Sequence, residues 1–155
     1  MLTKTSITAT RLLVHLGIES KAEAVSLKVI ARHLGVSPTY LMKIGRNLVR
    51  AGILRASRGA TGGVVLNHSP AEITLLAIVE ACQGRVLGDF CHDTDDLSQV
   101  CGLHRAGADL HKSITRSLSR WTLKDLLRRP RPPAGWQKGK RCLLQGCHHG
   151  PAATS

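Results

Sequence analysis

Apolar positions recur along this chain with two periods, and the switch between them outlines a fold. Residues 5–17 place Ile7, Leu12, Leu13, Val14 and Leu16 in a partial helical stripe. In "LKVIARHLG", Leu27, Ile30, Ala31 and Leu34 fall on one face, with Ser26 placed to cap the start and Gly35 to stop the helix. Ser37 can cap the next helix, and Pro38 stands in the first turn, where its missing N–H costs nothing. Leu41, Ile44, Leu48 and Val49 keep the helical period as far as Ala51-Gly52. There the period shortens: "ILRAS" and "GVVLN" are β-prone runs, and "RGATGG" between them predicts a hairpin turn, a small wing. A fourth helix is expected over 73–82, a polar loop over about 84–99 and a longer helix over 100–119, striped by Val100, Leu103, Leu110, Ile114 and Leu118. "WTLKDLL" makes a last short helix capped by Thr122. From Arg128 onward Pro, Gly, Arg and Lys dominate without an acidic residue, which reads as a basic disordered tail over 128–155.

The expected fold is therefore mainly α. Helices over 27–34 and 38–51, joined by the tight "GVS" link, have helix-turn-helix spacing, and the hairpin makes the unit winged. In such a unit the N-terminal end of the second helix points into the major groove, which would present Ser37, Thr39 and Tyr40 to bases and phosphates. Lys43, Arg46 and Arg50 lie along the same helix; not all can face one groove, so Arg50 is expected at the flank. In the wing, Arg58 can enter a minor groove with Thr61 beside it, and Gly59, Gly62 and Gly63 allow a tight turn close to the sugar-phosphate backbone.

Charge points the same way. The 155 residues carry a formal +12 at a pI near 10.3, which calls for an anionic partner, with double-stranded DNA ahead of a membrane surface. Residues 21–58 hold eight Lys/Arg against the single acid Glu23, the imbalance that phosphate neutralisation needs. A basic solvated face on a plain packing unit would share the charge, but not the spacing and the wing together. No apolar run approaches the roughly twenty residues of a bilayer span. The first residues lack the apolar core and cleavage site of a secretory signal, so a cytoplasmic protein is expected. Neither a nucleophilic triad order, nor a phosphate-cradling glycine loop, nor a carboxylate pair suggests an enzyme.

"LTKTSITATRLLVHLG", "IARHLGVSPTYLMKIGRNLVRAGILRASRGATGGVVL", "SPAEITLLAIVEACQG" and "WTLKDLL" together resemble the Rrf-type winged helix-turn-helix transcriptional regulators over about residues 1–127. The resemblance implies a repressor that binds a palindromic operator as a homodimer. It divides the chain into a DNA-binding domain over 1–83, a sensor loop over 84–99 and a dimerisation helix with a short final helix over 100–127. It puts DNA contacts on Ser37, Thr39, Tyr40, Lys43 and Arg58. It also implies an iron–sulfur cluster, of the two-iron or four-iron kind, or a redox-active thiol in the loop. In "FCHDTDDLSQVCGLH", Cys91 and Cys101 stand at the positions of the outer two of three family cysteines, the middle one is missing, and His104 completes a Cys-x-x-His. Thiolates are the usual cluster ligands, and His can replace Cys at a two-iron centre. Cys91, Cys101 and His104 are thus the candidate ligands, and His15, His92, Asp93, Asp95 and Asp96 are candidates to complete the set. A reversible thiol switch and a sensor-less or general DNA-binding protein remain open alternatives.

The other sulfur and imidazole groups read more plainly. Cys82 keeps helical spacing with Leu75, Ile78 and Val79, as a small buried thiol would. Cys142, Cys147, His148 and His149 could bind zinc, but their spacing matches no common zinc knuckle and they lie in the tail. His33 and His68 are expected at the surface, His111 at a dimer seam or in solvent, and Trp121 in a core role at the base of the long helix.

Overall fold

The computed structural model describes residues 2–19, 24–57, 62–86, 98 and 100–128. Its elements run α1 (Lys4–Glu19), α2 (Leu27–Leu34), α3 (Pro38–Arg50), β1 (Leu54–Ser57), β2 (Gly63–Leu66), α4 (Leu75–Gln83), α5 (Gly102–Arg120) and α6 (Leu123–Leu127). The mainly helical, winged architecture expected from the pattern is what forms.

Helix α1 lies at the centre, packed against α2, α3, α4, α6 and β2. It can be buried on most sides because its hydroxyls are satisfied within the helix. The Thr8 hydroxyl donates to the Lys4 carbonyl at 2.8 Å and that of Thr10 to Ser6 at 2.9 Å. A buried hydroxyl without such a partner would cost about 1–3 kcal/mol. Leu12 and Leu13 of α1 meet Ile30, Leu41, Ile44, Leu48, Leu54, Ile78 and Leu123 in one core. Each such side chain contributes on the order of 1.5–3 kcal/mol by leaving water.

The helix-turn-helix is held by backbone chemistry. Gly35 adopts φ 65°, the left-handed conformation in which a side chain is strained, and Val36 N–H then bonds the Ala31 carbonyl at 3.0 Å. From α1, Arg11 Nη2 reaches over to the Leu34 carbonyl at 3.0 Å. Ser37 is extended at the N-cap position and Pro38 opens α3, but neither Ser37 nor Ser26 makes the side-chain capping bond expected of it. Helices α2 and α3 approach closely at Gly45, where a Cβ would come within 2.6 Å of Leu27 Cδ1.

Strands β1 and β2 pair antiparallel, from Leu54 opposite Leu66 to Ser57 opposite Gly63. On the other edge of β2, Val25 and Val64 exchange both backbone hydrogen bonds, at 3.1 and 3.0 Å, so the segment before α2 adds to the hairpin. This corrects one expectation. Gly63 is not left bare for DNA, because the space a side chain would need there is occupied by the Val25 backbone.

Helix α4 is capped by Thr74, whose Oγ1 accepts from the Ala77 N–H at 3.1 Å. A capping box at Thr122 and Asp125 starts α6, which returns to the core through Leu123 and sets Leu127 against Gly17. Backbone bonds from Leu75 N–H to the Trp121 carbonyl and from Leu123 N–H to the Ile73 carbonyl, both 2.8 Å, tie that return to the base of α4. Helix α5 is different: none of its residues is buried, and Leu103 and Leu110 are 79% and 53% exposed. Trp121 does not fill the core role expected of it; it is 48% exposed, because the chain turns into the Thr122 cap and it is Leu123 that enters the core.

Candidate nucleic-acid interface and sensor region

Helix α3 divides cleanly into two faces. Leu41, Ile44 and Leu48 are sealed inside, which fixes the rotation of the helix about its axis. That rotation sends Ser37, Thr39, Lys43, Arg46 and Arg50 outward, all exposed. Positions 39, 43, 46 and 50 advance by four, three and four residues and so form a single stripe. The stripe climbs about 16 Å at 1.5 Å per residue, more than the roughly 12 Å width of a major groove. Its first three positions, Thr39 to Arg46, span about 10 Å, and Arg50 extends it by one more turn.

The surroundings reinforce this surface. Lys28 and Arg32 on α2 and Arg55 on β1 are exposed, and residues 24–57 contain no Asp or Glu. Nothing within this segment competes with a phosphate for its cations. The sequence-predicted wing contacts, Arg58 and Thr61, lie outside the described residues.

Tyr40 has a position that periodicity could not reveal. It is half-buried against the core, and its hydroxyl donates to Thr5 Oγ1 at 3.2 Å. Tyr40 thereby joins the entry of the reading helix to the first turn of α1. The signal missing from the sequence is a contact between residues 35 positions apart.

The sensor candidates separate into described and undescribed groups. Cys101 sits at the N-cap position of α5 with its thiol exposed, and His104, half-buried, follows one turn later. Cys91, His92, Asp93, Asp95 and Asp96 lie outside the described residues. His15 belongs to another neighbourhood: its ring lies 5.3 Å from that of His33 on α2, and its Nε2 is 3.4 Å from Glu19 Oε1. Burial holds the His15 imidazole below the ordinary range, against the pull of Glu19 and with the help of His33. Among the described residues, no three His, Cys, Asp or Glu side chains gather to hold a metal ion. Cys82 is packed against the core as expected, and burial pushes its thiol up to about 11, which makes it a poor nucleophile at neutral pH. His33, His68 and His111 are exposed. Cys142, Cys147, His148 and His149 lie outside the described residues.

Among the described residues, no helix is long and apolar enough to cross a membrane. Comparison with known proteins gives a consistent answer. Residues 2–129 match the family described as "Rrf2: Iron-dependent Transcriptional regulator". A transcriptional regulator of the helix-turn-helix type, NsrR of Halalkalibacterium halodurans, is 32% identical over 124 residues, covering 76% of this chain and 83% of that protein. Protein rrf2 of Nitratidesulfovibrio vulgaris is 29% identical and covers 99% of this chain and 98% of its own length. The solved structure of T. potens IscR superposes with a TM-score of 0.64 at 27% identity, covering 82% of this chain and 85% of that one.

Proposed function

Because the chain belongs to the Rrf2 family of transcriptional regulators, we propose that it is a homodimeric repressor of a palindromic operator, switched by a sensor in the segment between α4 and α5. Regulation of transcription through DNA binding, rather than catalysis, is the activity of the family and of the relatives it matches. The observation that carries the reading is the face of α3, where Thr39, Lys43 and Arg46 form an exposed stripe opposite a sealed apolar one. Phosphate contacts from such cations would set register, while Ser37, Thr39 and the uncovered part of Tyr40 are proposed to reach base edges and phosphates. Arg58 and Thr61 are proposed to add the wing contact.

Pairing of two copies through α5 is supported by its exposed leucines. A helix with no fully buried residue, carrying exposed Leu103 and Leu110 and half-buried Ile114 and Leu118 on one side, would gain stability from a second copy. A two-fold dimer reads a two-fold site, and hence a palindromic operator. The domains over 1–83, 84–99 and 100–127 and a basic tail over 128–155 belong to the same proposal, as does a cytoplasmic location.

For the sensor, the donor chemistry fits an iron–sulfur cluster. Cys101 and His104 offer a sulfur and an imidazole one helical turn apart, both ligand types that cluster irons accept, and Cys91 would supply a second thiolate. Such a cluster supplies a group whose redox state and ligands change with the surroundings. The protein's part is to couple those ligands to the start of α5. The exposed Cys101 thiol supports a second reading, a reversible thiol switch without a cluster.

Oxygen-free purification with iron and acid-labile sulfide assays, alongside selection of binding sites from random duplexes, tests both halves. Bound iron with sulfide and an enriched palindrome are expected. A colourless protein lacking both elements removes the cluster and leaves the thiol reading. Failure to enrich any palindrome removes the operator reading.

A further inference from the structure

The contact between Tyr40 and Thr5 brings a third element to the nucleic-acid face. The first turn of α1 is locked by reciprocal bonds: Ser6 N–H donates to Thr3 Oγ1 at 3.2 Å, and Thr3 N–H donates to Ser6 Oγ at 2.9 Å. Ser6 is itself fully buried, so this turn has one position relative to the core. The 3.2 Å bond from the Tyr40 hydroxyl sets that turn against the entry of α3. Thr3 and Lys4 are exposed there, and the first turn of α1 contains no acid. Among the described residues, Lys4 has no carboxylate partner; the first acid in the chain is Glu19, at the far end of the helix. A duplex that receives the entry of α3 in its major groove brings the sugar-phosphate strand bordering that groove past the same end of the helix.

We propose that Lys4 is a backbone contact, neutralising one phosphate beside the reading helix, so that the DNA surface comprises α3, the wing and the first turn of α1. The inference rests on the reading of α3 as the DNA-binding helix. Lys4 reads no base: a lysine on a phosphate positions the protein and adds affinity to every sequence alike.

The test measures binding of the full chain to its selected operator and to a random duplex of equal length across a salt series, for wild type and Lys4→Gln. One lost phosphate contact lowers the slope of log affinity against log salt by about 0.9 on both duplexes. The deficit of Lys4→Gln should therefore shrink about threefold between about 50 and about 200 mM salt. The ratio of operator to random affinity should stay unchanged, and Lys4→Arg should restore the slope. An unchanged slope in Lys4→Gln overturns the proposal, as does a changed operator ratio without a slope change. A wild type that binds both duplexes equally would defeat the operator reading, while the slope would still decide the role of Lys4.

Discussion

Leu41, Ile44 and Leu48 shut one side of α3 completely away from water, whereas α5, at 19 residues against 13, buries none of its own. The shorter helix is finished within the chain. Its start is pinned by Tyr40 on Thr5, and its end by Gly52 at φ 74° with the Asn67 side chain on the Gly52 carbonyl at 2.9 Å. The longer helix is held through α4 and at the Trp121–Thr122 junction, and Leu103 and Leu110 still face outward. A helix that presents side chains to a duplex has to be immobile, since an ångström of play would blur every contact. A helix that receives a partner has to leave apolar area uncovered. On the proposed function, the two surfaces differ because their tasks do.

The sharpest way to break that contrast is to remove one leucine from each helix. Leu48→Ala should lower the stability of the chain by about 2–5 kcal/mol, read as a shift in the urea midpoint. Leu110→Ala should leave the unfolding of dilute protein within about 0.5 kcal/mol of wild type. The same change should weaken self-association about tenfold or more in sedimentation, since a buried leucine contributes about 1.5–3 kcal/mol. Equal effects of the two changes on unfolding would show that α5 is as self-contained as α3.

Gly63→Ala probes the brace between the hairpin and the segment before α2. Its Cβ would meet the Val25 backbone, which cannot swing aside as a side chain can, so a loss of about 1–3 kcal/mol is expected in the same denaturation assay. The smallest effect belongs to His15, at the seam between α1 and α2. Its imidazole is held below 6.5, so on acidification the unfolded chain takes up this proton first. The stability concerned is intact above pH 6.5 and declines as pH falls below it. His15→Gln should flatten that decline in urea midpoints compared at about pH 7.5 and about pH 5.5.

Much of this architecture was legible in the sequence because its signals are local. Gly35 stops α2, Pro38 opens α3 and Thr122 starts α6, each through chemistry confined to a few neighbouring residues. The outward stripe of α3 followed from periodicity once the helix was placed. What escaped were contacts between distant segments. Gly63 looked like a turn glycine because nothing near it in sequence announces Val25 as its neighbour. The anchoring of Tyr40 was invisible because Thr5 arrives from another helix. Trp121 looked like core because size and apolarity suggest burial, but a capping box at the next residue decides the direction of the chain. The neighbourhood of His15 was equally hidden, because His33 comes to it from another helix.

The two 2.8 Å bonds that fasten the Trp121 and Leu123 backbone to the base of α4 make that junction a fulcrum. From there α5 runs back about 28 Å to Cys101. A ten-degree swing about the fulcrum would carry the cysteine end through about 5 Å, while the fastened end scarcely moves. On the proposed function, a change at the Cys101 thiol would reach the root of α5 as a change of angle rather than as a displacement.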